Sequence, residues 1–160
     1  MHIGGMLYLW IFGDNVEHRF GSVWFVVFYL ASGLVATLAQ VVLGPESVIP
    51  NLGASGAISG VMGAYLVLFP KNKVNAVFLF RMISVPAVVV LGMWIAMQLF
   101  SGYGTVGQNS QTGGVAYAAH IGGFVAGAVF GLVARLMMKK EPESKQYRVY
   151  DQKFVSGGNI

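Results

Sequence analysis

The sequence predicts an all-α, multi-span transmembrane helix bundle, and three observations carry that prediction. The 160 residues are 56% hydrophobic and only 10% charged, whereas a soluble domain carries roughly a quarter charged residues. The few charges leave long intervals with no Asp, Glu, Lys or Arg. The basic residues then fall on one side of the segments those intervals define. An ordinary globular domain is excluded by the composition. A disordered chain is excluded too, because disorder requires low hydrophobicity and high net charge. The net charge of +4 follows membrane topology, so no nucleic-acid partner is implied. The chain has no cysteine, which removes disulfides, a thiolate nucleophile and Cys-type metal sites. Its 22 glycines suit helices that approach closely in lipid.

Taken in order, the first apolar stretch is Ile3–Phe12, about 15 Å long as helix, which reads as the tail of a span. Between Arg19 and Glu46 no charge occurs, and Ser22–Leu43 fits one spanning helix. Ser47–Pro70 is again free of charge, and Leu52–Phe69 is long enough for a second. Met82–Ala134 is too long for one helix and is broken by Ser101–Gly114, a Gly-, Ser- and Gln-rich loop segment. It yields spans at Ile83–Phe100 and Val115–Met138. Residues 1–138 therefore form the membrane domain. Residues 139–160 mix both charge signs with Gly and Ser and read as a solvated tail.

If the chain changes sides at each span, all 10 Lys and Arg fall on one face. The opposite loops, Gly44–Asn51 and Ser101–Gly114, hold no basic residue. The positive-inside rule then puts the C-terminus and tail in the cytoplasm and those two loops outside. The start of the chain falls outside without a signal peptide, from which at least one further upstream helix is expected.

Two polar features lie where lipid should be. His120 sits within the last span, on the same face as Gly123, Gly127 and Gly131. That small-residue ridge admits a neighbouring helix, so the imidazole faces protein. An intramembrane ionisable group is a functional candidate, although a hydrogen bond to a neighbouring helix would also account for it. The second feature is Gly53-Ala54-Ser55-Gly56, at the outer start of a span. The first amides of a helix have no intrahelical acceptor and can hold a developing oxyanion. Small neighbours let a peptide lie against Ser55. Ser59 and Gly63 continue a small stripe toward the ridge below His120. His120 is roughly 9 Å below the outer end of its span, and Ser55 is at comparable depth. No Asp or Glu occurs in either span, so the residues permit a Ser–His dyad rather than a triad.

These stretches resemble the rhomboid family of intramembrane serine proteases. Gly53-Ala54-Ser55-Gly56-Ala57-Ile58-Ser59-Gly60 is similar to the family's nucleophile motif, and Ala119-His120-Ile121-Gly122-Gly123 with Gly127 to its general-base helix. Leu9-Trp10-Ile11-Phe12-Gly13-Asp14-Asn15-Val16-Glu17-His18-Arg19-Phe20-Gly21 is similar to the segment that ends its second helix. The resemblance implies a six-helix core of which about five helices are present, the first helix and its outer loop being absent. It implies Ser55 as nucleophile, His120 as general base and acid, and Gly53, Ala54 and Gly56 around the oxyanion. Glu17, Arg19, Gly123 and Gly127 take structural roles. The substrates it implies are single-span transmembrane proteins cut near the outer face, in a lipid bilayer, with no metal or organic cofactor. It also implies an integral multi-pass protein of a prokaryotic inner membrane.

One departure concerns the oxyanion. The family's second helix opens on His-x-x-x-Asn, whereas Met6 stands four residues after His2. Aligned back from Leu9-Trp10, Gly5 falls on the Asn position and Met1 on the His position. The Asn donor is absent on either alignment, which leaves His2 as the side-chain candidate. The alternative function is therefore a catalytically impaired relative that binds membrane helices without cleaving them. A transporter using His120 as a proton relay would need further buried acids, and the spans hold none.

Overall fold

The computed structural model describes residues 2–43, 54–78, 81–105 and 117–138. The chain enters as helix α1 (His2–Tyr8), passes through a π-helical segment (Leu9–Gly13) and continues as α2 (Asp14–Phe20). The first apolar stretch is thus helical and runs on past Phe12 to Phe20. Phe12 and Val16, one turn apart, are buried on its inner side. Gly21 ends it at φ 80°, a conformation that favours glycine, and its N–H donates to the Glu17 carbonyl at 2.7 Å.

Helix α3 (Ser22–Leu43) coincides with the expected span, because a glycine break and the last charge bound it in sequence. Helix α4 (Ser55–Leu68) is shorter than the expected Leu52–Phe69. Phe69 leaves the helical region at φ −128°, and Leu52 lies outside the described residues. The stretch beginning at Ile83 is a correction. Strands β1 (Lys73–Phe78) and β2 (Arg81–Pro86) pair antiparallel with Lys73 opposite Pro86 and Val74 opposite Val85, so Ile83–Pro86 is strand rather than span. The β-branched residues that raised its hydropathy are also those that favour extended pairing. Pro86 ends the ladder, and helix α5 (Ala87–Thr105) begins at the next residue. Its first amide is taken by the Asn72 carbonyl at 2.8 Å. Ser101–Thr105, read from sequence as loop, extends α5. Helix α6 (Tyr117–Met137) is the last described element. Residues 44–53, 106–116 and 139–160, which hold the expected loop Gly44–Asn51, most of the expected loop Ser101–Gly114 and the expected tail, lie outside the described residues.

Two helical stretches, Ser22–Val42 and Tyr117–Met137, are long and apolar enough to cross a membrane, while Ser55–Leu68 and Ala87–Gly102 are shorter apolar helices. The membrane-facing character shows in the surface. Trp24 is 66% and Leu30 65% exposed, and α3 and α6 carry many more exposed aliphatic side chains, a pattern a water-soluble monomer seldom sustains.

Helices α4 and α6 form the most extensive pair, and they lie almost backbone to backbone. A Cβ added at Gly123 would run into the Gly56 carbonyl, one at Gly127 into the Gly60 carbonyl, and one at Gly63 into the Phe124 carbonyl. Partners rise together along both chains, so the two helices run parallel. Helix α3 crosses them in the opposite sense, with Ala36 beside Gly56 and Ser32 beside Gly60. Aromatic side chains pack together where α2, α3 and α6 meet. Phe28 stacks on Phe130 with centroids 4.6 Å apart, and Phe20 meets Phe130 edge-on at 5.2 Å. Arg135 Nη1 donates to the Val67 carbonyl at 3.1 Å, tying the end of α6 to the end of α4.

The close approach yields a test. Gly127→Val drives a side chain into the Gly60 backbone and is expected to destabilise the bundle by roughly 1–3 kcal/mol or more. Gly92→Ala, whose Cβ meets nothing within 4 Å, is expected to be neutral or stabilising by about 0.5 kcal/mol. Thermal unfolding in detergent reads both.

Candidate active site

The register of α4 on α6 sets the depth of the candidate nucleophile. Ser55 opens α4 after Ala54, which adopts φ −53° and ψ −12°. The Ile58 N–H donates to the Ala54 carbonyl at 2.8 Å, so the amides of Ser55 and Gly56 stand before that bond at the open helix end. Next in the chain, Gly56 is buried against α6. A Cβ built there would lie 3.7 Å from the Ala119 carbonyl oxygen, and Ala119 directly precedes His120. Ser55 and His120 thus occupy one level of the bundle on adjacent helices. Ser55 is exposed, and His120 is half-buried.

Among the described residues there is no hydrogen bond between the Ser55 hydroxyl and the imidazole. The ring is engaged elsewhere. His120 Nδ1 lies 2.9 Å from Oε1 of Gln98 on α5. Trp94, one turn earlier on α5, packs beside the ring with centroids 5.8 Å apart and planes at 39°. From the other side, Gln40 near the end of α3 accepts the Ala119 N–H on its Oε1 at 3.2 Å, satisfying an amide in the first turn of α6. Gln40, Ser55, Gln98 and His120, one from each of four helices, form a polar layer at one end of the bundle.

Ser59, one turn below Ser55, is 1% exposed. Its hydroxyl donates back to the Ser55 carbonyl at 2.8 Å, the local bond that serines make inside apolar helices. It therefore serves the backbone of α4. Gly123 and Gly127 lie against the carbonyls of Gly56 and Gly60, and Ala54 is the exposed turn residue ahead of α4. Gly53 lies outside the described residues. His2 heads α1. Gly5, which falls on the Asn position in one alignment, faces α4. Its Cβ would stand 3.3 Å from Ile58 Cδ1, one turn from Ser55. Glu17 and Arg19 are distant from this layer in sequence and lie in the last turns of α2, half-buried, just before Gly21.

Gln98, Gln40 and Trp94 escape a reading that looks only for ionisable groups. Their signal is present, since Gln98 is the one carboxamide in α5 and Gln40 the one in α3. Such groups inside apolar helices bond across helices. Among the described residues, α4, α5 and α6 carry no Asp or Glu, and no carboxylate meets the imidazole. A neutral amide takes that place.

Comparison with known proteins identifies the family. A family model described as Rhomboid domain matches residues 1–136. The chain is 35% identical over 140 residues to Rhomboid protease GluP of Bacillus subtilis, covering 82% of this chain and 25% of that protein. It is 31% identical over 149 residues to Rhomboid protein 1, mitochondrial, of Saccharomyces cerevisiae, covering 90% of this chain and 41% of the relative. To the bovine Presenilin-associated rhomboid-like protein, mitochondrial, it is 31% identical over 134 residues, covering 82% of this chain and 33% of the relative. The chain therefore spans well under half the length of these relatives. No solved structure matches it.

Because the chain has no cysteine of its own, accessibility of the layer can be read directly. Ser55→Cys is expected to react with a water-soluble maleimide in membranes, whereas Ser59→Cys, enclosed between helices, stays unmodified over the same interval. Equal labelling would contradict the described helix packing.

Proposed function

The chain belongs to the rhomboid family of integral membrane proteins, and from that premise we propose that it is an intramembrane serine endopeptidase acting through Ser55 and His120. The observation that carries the proposal is the shared level of the two residues, held by the contact of Gly56 and Gly123 between α4 and α6.

In this mechanism the Ser55 hydroxyl attacks the scissile carbonyl as His120 withdraws its proton. The tetrahedral oxyanion sits at the open end of α4, where the amides of Ser55 and Gly56 and the positive end of the helix dipole favour negative charge. Ala54 and Gly56, together with Gly53, keep side chains out of the path of the substrate backbone. His120 then donates its proton to the leaving amine, and a water activated by the same ring releases the acyl group. The substrates are single-span transmembrane proteins, opened near the outer face of the bilayer where an unwound segment can reach Ser55. Glu17 and Arg19 hold the turn at Gly21, on the face opposite the polar layer. We further place the C-terminus in the cytoplasm, because Arg19, Arg135 and the basic residues of 139–160 fall on one side when the chain changes sides at each span, and we assign the membrane to a prokaryotic cell.

A second reading is favoured by one observation. Gly5, at a position where the family carries an oxyanion-binding Asn, supplies no side-chain donor. In this reading the chain binds membrane helices without cleaving them. Loss of one such donor costs about 10²–10³ in rate, so the two readings differ in measurable turnover.

Expression in membranes with a single-span reporter separates them. Cleavage by the parent chain is expected, with Ser55→Ala and His120→Ala each reducing it by about 10³ or more. A fluorophosphonate probe is expected to label the parent at Ser55 only. Cleavage that survives either substitution would reject the dyad, and an inert parent restored by a Gly5→Asn change would mark an impaired protease. For orientation, a reporter domain fused after Ile160 should read cytoplasmic.

A further inference from the structure

We infer that Gln98 is a positioning residue for this reaction, holding the proton of His120 on Nδ1 so that Nε2 is the basic nitrogen available to Ser55. The inference rests on the protease reading of Ser55 and His120. It starts from the 2.9 Å approach of His120 Nδ1 to Gln98 Oε1. A carboxamide oxygen has lone pairs and no hydrogen, so it accepts. With Oε1 turned to the ring, the nitrogen facing it donates. A neutral imidazole carries one N–H, and once that proton is on Nδ1 the lone pair resides on Nε2. Only a nitrogen with a lone pair takes a hydroxyl proton, so the tautomer decides whether the ring is a base toward serine or a second donor.

The surrounding packing supports orientation rather than simple adhesion. Gln98 and Trp94 are one turn apart on α5 and so present a common face. The amide meets the ring edge at Nδ1 while the indole packs beside its plane. On the other side Gln40 holds the amide of Ala119, which fixes the backbone that carries His120. The ring is thus constrained at its edge, beside its face and through its own helix. The choice of an amide is also physical. A carboxylate at this depth would be costly to bury in lipid, whereas a carboxamide supplies the same acceptor oxygen without charge.

The test uses the whole chain in lipid nanodiscs with ¹⁵N-labelled histidine, the His120 resonances being identified by their loss in His120→Ala. In the parent, Nδ1 is expected to be protonated and Nε2 not. Gln98→Met keeps the side-chain length but removes the acceptor, and is expected to move the proton toward Nε2. In reporter cleavage it lowers kcat by at least about tenfold with KM unchanged, since a base in the wrong tautomer is lost for proton transfer but not for binding. Gln98→Glu restores an acceptor oxygen and is expected to recover both the Nδ1–H tautomer and most of kcat. A parent that cleaves the reporter while carrying the His120 proton on Nε2 overturns the role of Gln98 alone, and this holds even if Gln98→Met fails to fold. So does an unchanged kcat in Gln98→Met. A parent with the Gln98-dependent tautomer whose Ser55 neither cleaves nor reacts with a fluorophosphonate overturns the protease reading, and the positioning role with it.

Discussion

The contact on which the remaining geometry depends is the approach of α4 to α6 along Gly56, Gly60 and Gly63 on one helix and Gly123, Gly127 and Gly131 on the other. In a bilayer two apolar helices gain little by hiding from lipid, so association rests on close backbone packing. That packing needs positions without side chains. Because the glycines repeat at near-helical spacing on both partners, they fix the longitudinal register as well as the distance. Register is what sets Ser55 beside the start of α6. Helix α3 then fits into the same groove through Ser32 and Ala36, which brings Gln40 to the start of α6.

The two ends of the bundle are built from different chemistry. One end carries the carboxamides of Gln40 and Gln98 around His120 and the first turn of α4. Uncharged groups suffice there because each meets a partner on another helix, and among the described residues no buried side-chain polar atom lacks a hydrogen bond. The other end is closed by Arg135 on the Val67 carbonyl, by Asn72 Nδ2 donating to the Tyr65 hydroxyl at 3.2 Å, and by the β1–β2 hairpin. A cation reaches a helix C-terminus at that end, as the helix dipole favours. A site for acyl transfer gains from the opposite polarity, a helix N-terminus beside a neutral base.

The entry segment His2–Phe20, in which a π-helical stretch joins two α-helical ones, is attached by its aromatic side. Phe12 meets Tyr65 edge-on at 4.8 Å, and Tyr65 in turn contacts Phe69. This anchors the first helix to α4, the helix that carries Ser55, and places Gly5 over Ile58. Side chains on that first helix therefore have access to the level of the candidate nucleophile.

Hydrophobic length and the positions of the charges were enough to define the membrane class and to delimit Ser22–Leu43, because both are properties of local sequence; Ser55 and His120 became candidates as polar groups in apolar spans. Ile83–Pro86 misled, since hydropathy registers β-branched residues without knowing that Val74 and Ala76 stand opposite Val85 and Ile83 in a paired strand. The helical run through Ser101–Thr105 misled for the reverse reason: Gly and Ser mark a break in water, yet inside a bundle they extend a helix. The engagement of the imidazole with Gln98, and the capping of Ala119 by Gln40, were decided by tertiary structure alone. Both are hydrogen bonds between helices whose relative rotation and depth no single segment encodes, and they exist only once the glycine faces have brought the four rods together.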